Sequence, residues 1–139
     1  MLELLPLCAV ELTIGPATRV GNGPSGNRFI APVNDIVIEG DRLRGRSSGS
    51  VCADWVTVVG DVATIDVRSS IVTHDGALVF IQYRGRTDAS NGVGSAPAYV
   101  APLFETGDER YAWLNAVQAV GKSQISDLRT AHYDWYELR

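Results

Sequence analysis

Three polar residues of one predicted hairpin, Asp66, Arg68 and Tyr83, bring together a carboxylate, a guanidinium and a phenol. The two β-branched runs that carry them, residues 64–73 and 78–83, meet at Asp75-Gly76, a strong hairpin signal. Asp66 and Arg68 stand two residues apart and so share one strand face. A two-residue turn sets Arg68 opposite Tyr83, Ser70 opposite Ile81 and Val72 opposite Val79. Facing a cavity, Arg68 can hold an anion or polarise a carbonyl, and Tyr83 can donate a hydrogen bond to a developing enolate. Asp66 can orient Arg68 or take a proton. Facing water, the same three form a weakly stabilising cross-strand cluster. The opposite face, Ile65, Val67, Ile71, Leu78 and Phe80, is the more apolar one, and amphipathic logic alone turns it inward. The cavity reading therefore needs that apolar face covered, by a helix or by a second subunit.

A second candidate is Asp54-Trp55, at the start of a strand. A carboxylate beside a large aromatic can serve as a general base whose pKa an apolar pocket raises towards neutrality. A turn-capping Asp next to a core Trp is the plainer alternative. In Tyr111-Ala-Trp-Leu-Asn115, Trp113 and Asn115 can cap a barrel end and reach a ligand, or Tyr111 and Leu114 can simply pack. Tyr133 and Trp135 share one face of the last strand, where core packing is the commoner fate of aromatics. His74 falls in a turn, where solvation is the rule, and His132 lacks a partner at metal-binding spacing. No metal and no cofactor is expected. Nucleophile-elbow, P-loop and H-E-x-x-H motifs are absent. Gly21-x-Gly23-x-x-Gly26 fits a dinucleotide fingerprint only as a string, since it opens no helix, and reads as a loop.

The elements that must position these residues are strands. Turn signals recur at 21–26, 39–41, 47–50, 60–61 and 75–76, separated by segments rich in Val, Ile, Thr and aromatics. Strands are predicted over 5–14, 28–39, 42–46, 55–59, 63–73, 78–85, 98–104, 116–120 and 132–138. One short helix is predicted over 107–115, with Thr106 as cap and Glu109 completing a capping box. Residues 87–97, rich in Gly, Ser and Ala, read as a mobile loop. The pattern predicts an all-β fold, a single antiparallel barrel of about eight strands spanning residues 1–139, wide enough for one small ligand.

A formal net charge of -4 argues against a nucleic-acid partner. No apolar run is long enough to span a bilayer, and residues 1–6 lack the features of a signal peptide, so a cytoplasmic protein without a membrane partner is expected. Two cysteines, Cys8 and Cys52, are too few for a disulfide framework and read as small buried apolar residues.

Eight segments follow one another in a specific order and spacing: Leu4-Leu-Pro-Leu-Cys-Ala-Val-Glu-Leu12, Gly21-Asn-Gly-Pro-Ser-Gly-Asn-Arg28, Glu39-Gly-Asp-Arg-Leu-Arg-Gly45, Ala53-Asp-Trp55, Asp66-Val-Arg68, Thr73-His-Asp-Gly-Ala77, Phe104-Glu-Thr-Gly107 and Tyr111-Ala-Trp-Leu-Asn115. Taken together they resemble the DUF3237 family. The resemblance implies a lipocalin-like antiparallel barrel, often a homo-oligomer, in which Arg28, Asp54, Arg68 and Asn115 match recurring polar positions. Two departures stand out. Val51-Cys52 replaces a usual Gly-Gly pair, and the 85–104 segment is shorter and lacks an arginine near Tyr99.

Three functions follow as expectations. The first is a cofactor-independent cyclase, isomerase or lyase working by general acid-base catalysis on a small organic substrate of the secondary-metabolite kind, by enolisation, conjugate addition or dehydration. Asp54 would be its base, and Arg68 and Tyr83 would hold the carbonyl oxygen. Arg28, Trp55, Asp66, Tyr99, Trp113, Asn115 and Tyr133 would contact the substrate. The second is a non-catalytic carrier or sensor of a small apolar ligand. A third, a structural oligomer, would use the Ile65, Val67 and Phe80 face as its interface.

Overall fold

The computed structural model describes residues 1–124 and 127–139. Among these residues, eleven strands form one continuous sheet: β1 (Leu4–Ile14), β2 (Thr18–Gly23), β3 (Gly26–Glu39), β4 (Gly45–Ser47), β5 (Ala53–Val59), β6 (Val62–Thr73), β7 (Leu78–Asp88), β8 (Ala98–Val100), β9 (Leu103–Glu105), β10 (Ala119–Ser123) and β11 (Thr130–Leu138). Following antiparallel pairings from β1 through β3, β5, β6, β7, β8, β10 and β11 returns to β1, which closes an eight-stranded barrel. Closure removes the free edges that an open sheet would expose.

β3 serves two sets of neighbours. Its first half pairs with β2 and β5, and its second half with β1 and β4. β4 lies beside the far end of β6, where β5 has not yet begun. β2 is a strand the sequence reading missed: Gly21 to Gly26 is the tip of the β2–β3 hairpin, with Gly23 opposite Gly26. The expected strand over 98–104 is two strands. Pro102 cannot donate to a ladder, so the chain breaks there, and β8 and β9 pair with opposite ends of β7. The expected strand at 42–46 shrinks to β4, and that at 116–120 begins only at Ala119 because Ala116 ends a helix.

That helix is a 3₁₀ element, Glu109–Ala116, and Asp108 caps it by accepting from the Arg110 N–H. Thr106 is not the cap. Its hydroxyl donates to the Leu78 carbonyl and its backbone is clasped by Asn115, whose Oδ1 accepts from Thr106 N at 2.8 Å and whose Nδ2 donates to Thr106 O at 3.0 Å.

The β6–β7 hairpin decides which residues enter the barrel. Thr73 N donates to Ala77 O at 2.8 Å and Gly76 N donates to Thr73 O at 3.0 Å. Gly76 has φ +92°, a left-handed conformation suited to glycine. This is a three-residue loop with a glycine bulge, not a two-residue turn. The pairing therefore slips by one, and Arg68 lies opposite Gln82 while Tyr83 lies opposite Val67. A one-residue slip reverses the face of every side chain on one strand relative to the other. Ile65, Val67 and Ile71 do face inward with Val79, Ile81 and Tyr83, whereas Leu78 is exposed and Phe80 half-buried on the outside.

The interior is packed by Val10 and Leu12 of β1, Ile36 and Ile38 of β3, the inward residues of β6 and β7, Phe104, and Tyr133 and Trp135 of β11. The Tyr83 ring stands 5.8 Å from Tyr133 and 5.5 Å, edge to face, from Trp135, and Phe104 meets Trp135 at 6.0 Å. Gly121 makes room for Trp135: a Cβ there would lie 2.4 Å from the indole Cδ1.

Candidate functional site

Alternation along β5 sets Asp54, Val56 and Val58 towards the interior, paired with inward Val67 and Ala63 of β6 and with Ala31 and Asn27 of β3. Trp55 and Thr57 face outward. This wall is unlike the others. The inward residues of β1, β6, β7 and β11 are largely sealed, whereas Asn27, Phe29, Ala31, Cys52, Asp54 and Val58 are half-buried. The wall around Asp54 thus keeps partial solvent exposure where the rest of the interior is sealed.

Asp54 Oδ1 accepts a hydrogen bond from Asp66 N at 3.0 Å. That bond favours the carboxylate, but burial outweighs it and raises the pKa to about 6. The charge of Asp66 adds to the rise. The surrounding groups are held protonated. Burial pushes the Tyr83 phenol well above its ordinary value, with added repulsion from Tyr133, Asp54 and Cys52. Tyr133 is raised by burial and by Asp54. The Cys52 thiol is pushed up to about 11 by burial and by Asp54, against a hydrogen bond with Ser69. A carboxylate that titrates near neutrality, beside phenols that stay neutral, can accept a proton while a neighbour donates a hydrogen bond.

Three buried polar atoms lack a hydrogen-bond partner among the described residues: Tyr83 Oη, Trp135 Nε1 and Asn27 Oδ1. Leaving such atoms unpaired costs about 1–3 kcal/mol each. Tyr83 Oη in particular is a donor with no protein acceptor, held among aromatic rings in the same electrostatic neighbourhood as Asp54.

The residues anticipated from sequence divide between two faces. Asp54, Tyr83 and Tyr133 are inside. Arg28, Trp55, Asp66 and Arg68 are outside. The grouping of Asp66, Arg68 and Tyr83 on one face is therefore corrected. The bulged loop, invisible to a two-residue-turn assumption, puts the strand wall between Arg68 and Tyr83. Arg68 instead lies over the Trp55 ring, its guanidinium carbon 5.3 Å from the centroid, and Arg28 Nη1 donates to Trp55 O at 3.0 Å. Tyr99 is exposed on the outer face with Lys122 above it at 5.8 Å. Trp113 is half-buried under Arg42, at 4.7 Å, and Asn115 is committed to its clasp on Thr106. Among the described residues, neither makes a hydrogen bond or ring contact with the Asp54 wall.

Asn27, Cys52 and Ser69 were not singled out as site residues. The alternation of β5 and β6 could have found Cys52 and Ser69, since both share the inward parity of Asp54 and Val67. Among the described residues, no three His, Cys, Asp or Glu side chains gather closely enough to hold a metal ion, and no helix is long and apolar enough to cross a membrane.

The same barrel occurs in solved structures. A β-barrel-like protein from Acinetobacter baumannii AYE is 29% identical, with a TM-score of 0.88, over 100% of this chain and 97% of that one. A conserved protein of unknown function from Rhodopseudomonas palustris is 21% identical, with a TM-score of 0.90, over 100% and 99%. An enzyme from Penicillium herquei is 25% identical, with a TM-score of 0.71, over 99% of this chain and 93% of that one. No curated protein matches the chain. The family model described as a protein of unknown function, DUF3237, matches residues 2–138, and the chain belongs to that family.

Proposed function

We propose that the protein is a cofactor-independent enzyme that performs proton transfer on a small organic molecule held against the β3–β5 wall. The observation that carries this reading is Asp54: an inward-facing, partly exposed carboxyl whose pKa of about 6 suits a general base near neutral pH. Its partner in the mechanism is Tyr83, whose unpaired hydroxyl is a ready donor to an oxygen that gains negative charge. The likeness to a protein described as an enzyme, at 25% identity over nearly all of both chains, supports catalysis in general and no particular reaction.

On this reading Asp54 takes a proton from a hydroxyl or from a carbon next to a carbonyl, and Tyr83 hydrogen-bonds the carbonyl oxygen as it becomes an enolate. Tyr133 and Trp135 supply aromatic walls that fix the pose and exclude water. Returning the proton to carbon completes an isomerisation or a conjugate addition, and expelling hydroxide completes a dehydration. The corrected position of Arg68 removes it from this mechanism. The compartment this reading assumes is the cytoplasm.

A suitable probe is 2′-hydroxychalcone, which carries both a nucleophilic hydroxyl and an enone, with ring closure followed by loss of absorbance. Wild-type protein is expected to accelerate closure, with the rate rising through about pH 6 as Asp54 ionises. Asp54→Asn is expected to lower the rate by about 10²–10⁴-fold. Solvent-deuterium incorporation into simple cyclic ketones tests enolisation in the same way. Folded Asp54→Asn protein that retains full turnover on a probe the wild type converts would refute the assignment. A carrier would instead bind such molecules without turnover and without dependence on Asp54 ionisation.

A further inference from the structure

The outer face of the same wall carries a second arrangement that the proposed catalysis does not use. β4 ends at Ser47 and β5 begins at Ala53, so the strand beside β6 is interrupted there. The chain between them loops outward, and Ser48 N donates to Ser70 O at 3.0 Å as the last rung before the gap. The gap leaves a groove of about 420 Å³ lined by Ser50, Val51, Trp55, Arg68, Ser69, Ser70 and Phe80. Its chemistry is divided. Trp55, Val51 and Phe80 supply apolar surface, and Arg68 and the serine hydroxyls supply hydrogen-bond donors.

Arg68 makes no ion pair and no hydrogen bond among the described residues, and its one contact of note is the Trp55 ring. Asp66 shares its face but does not pair with it. The Ser48, Ser50 and Ser70 hydroxyls converge: Ser48 Oγ lies 2.9 Å from Ser50 Oγ and 2.5 Å from Ser70 Oγ, and Ser50 and Ser70 also meet. The three contacts can be made with all three O–H hydrogens in a ring or with two in a chain, and in the chain the third hydrogen can turn to an incoming acceptor. No carboxylate lines the groove.

We propose that this outer groove binds a small aromatic carboxylate. The carboxylate would sit between the Arg68 guanidinium and the Ser50–Ser70 hydroxyls, and the ring would lie on Phe80 and Val51 beside Trp55. A guanidinium offers two parallel N–H donors that match the two carboxylate oxygens. Its position over Trp55 holds the fork at the groove instead of leaving it to sweep through solvent. This site is distinct from the interior one: Trp55, Arg68 and Ser70 lie on the outer face of the wall and Asp54 and Val67 on the inner, and of the groove's β5 and β6 residues only Ser69 has inward parity.

The test is calorimetric titration of the whole protein with 1-naphthoate and with its neutral isostere 1-naphthamide. Naphthoate is expected to bind, and naphthamide to bind at least about 10-fold more weakly, the loss expected for a charge-assisted hydrogen bond. Arg68→Ala should weaken naphthoate to a similar extent, Arg68→Lys should fall between, and added salt should weaken the wild type. Asp54→Asn should leave naphthoate affinity unchanged, which keeps this site distinct from the interior one. Equal binding of the two probes, wild-type affinity in folded Arg68→Ala protein, or loss of binding in Asp54→Asn would each overturn the proposal. So would a groove filled by a second copy, seen as self-association that Arg68→Ala dissolves and no naphthoate binding.

Discussion

The two faces of the β5–β6 wall are built from adjacent residues and behave as different materials. Asp54 and Trp55 are neighbours in the chain, as are Val67 and Arg68, yet each pair is split between the barrel interior and the outside. Inside, a carboxyl loses water, is compensated by one backbone N–H, and becomes a weak acid of pKa about 6. Outside, Arg68 keeps its hydration and rests on an aromatic ring. The lesson is that residue type alone does not make a site. The dielectric on its side of the wall decides whether a charge becomes a reagent or a point of recognition.

Substitutions on the two faces should separate this contrast cleanly. The largest effect is expected for Trp135→Ala, which empties the most enclosed aromatic position and should cost about 3–5 kcal/mol in urea denaturation. An equally mild response to Trp135→Ala and Arg68→Ala would break the contrast.

Next comes Asp54→Asn, whose effect depends on pH. The folded pKa of about 6 lies above the ordinary 3.8, so the folded state holds this proton more tightly than the unfolded chain does. The stability linked to that proton is complete below about pH 3.8 and is lost as pH rises through 6. Asparagine stays neutral and keeps an Oδ1 acceptor for Asp66 N. The variant should therefore exceed the wild type by about 1–2 kcal/mol at pH 8, a figure discounted for the residual solvent exposure of the group, and match it near pH 4. Denaturation midpoints at the two pH values measure this directly.

Tyr83→Phe should be smaller still, a gain of about 1 kcal/mol, because it removes a buried hydroxyl that has no partner. A gain in stability with a loss of turnover would mark that hydroxyl as kept for its chemistry. A loss of stability would mean the hydroxyl has an acceptor that the contacts described above do not include. Arg68→Ala should be the smallest, within about 0.5 kcal/mol of wild type in thermal or urea unfolding, as expected for an exposed side chain outside the core.

Much of the barrel was legible from alternation. Residues 63–73, with Ile65, Val67 and Ile71 on one face, and residues 5–14, with Cys8, Val10 and Leu12, announce half-buried strands, and both are found within a residue or so. Asp54 was legible as a carboxyl beside an aromatic at a strand start. The register of the main hairpin was not. Asp75-Gly76 is compatible with two-residue and three-residue loops alike, and the choice depends on tertiary contacts. Tyr111 Oη donates to Asp75 at 2.7 Å, Thr73 Oγ1 donates to the same oxygen at 2.6 Å, and Arg110 donates to the Asp75 carbonyl at 2.8 Å. The Thr73 contact is local, but the two helix partners lie 36 and 35 positions away, and no local pattern encodes those. β2 was missed for a related reason: Thr18 to Gly23 is mostly exposed and glycine-containing, and it becomes a strand only because β3 offers it a ladder.

The last strand has a consequence for when the interior acquires its character. β11 seals the ring between β10 and β1 and brings the Tyr133 and Trp135 rings against Tyr83. Until it docks, water reaches the inner wall, and Asp54 should have the acidity of any solvated aspartate. Proton affinity at this one carboxyl is thus a clock for assembly. In a refolding time course at pH 5, uptake of a proton by Asp54 should coincide with burial of Trp135 fluorescence and not with the earlier gain of β-structure.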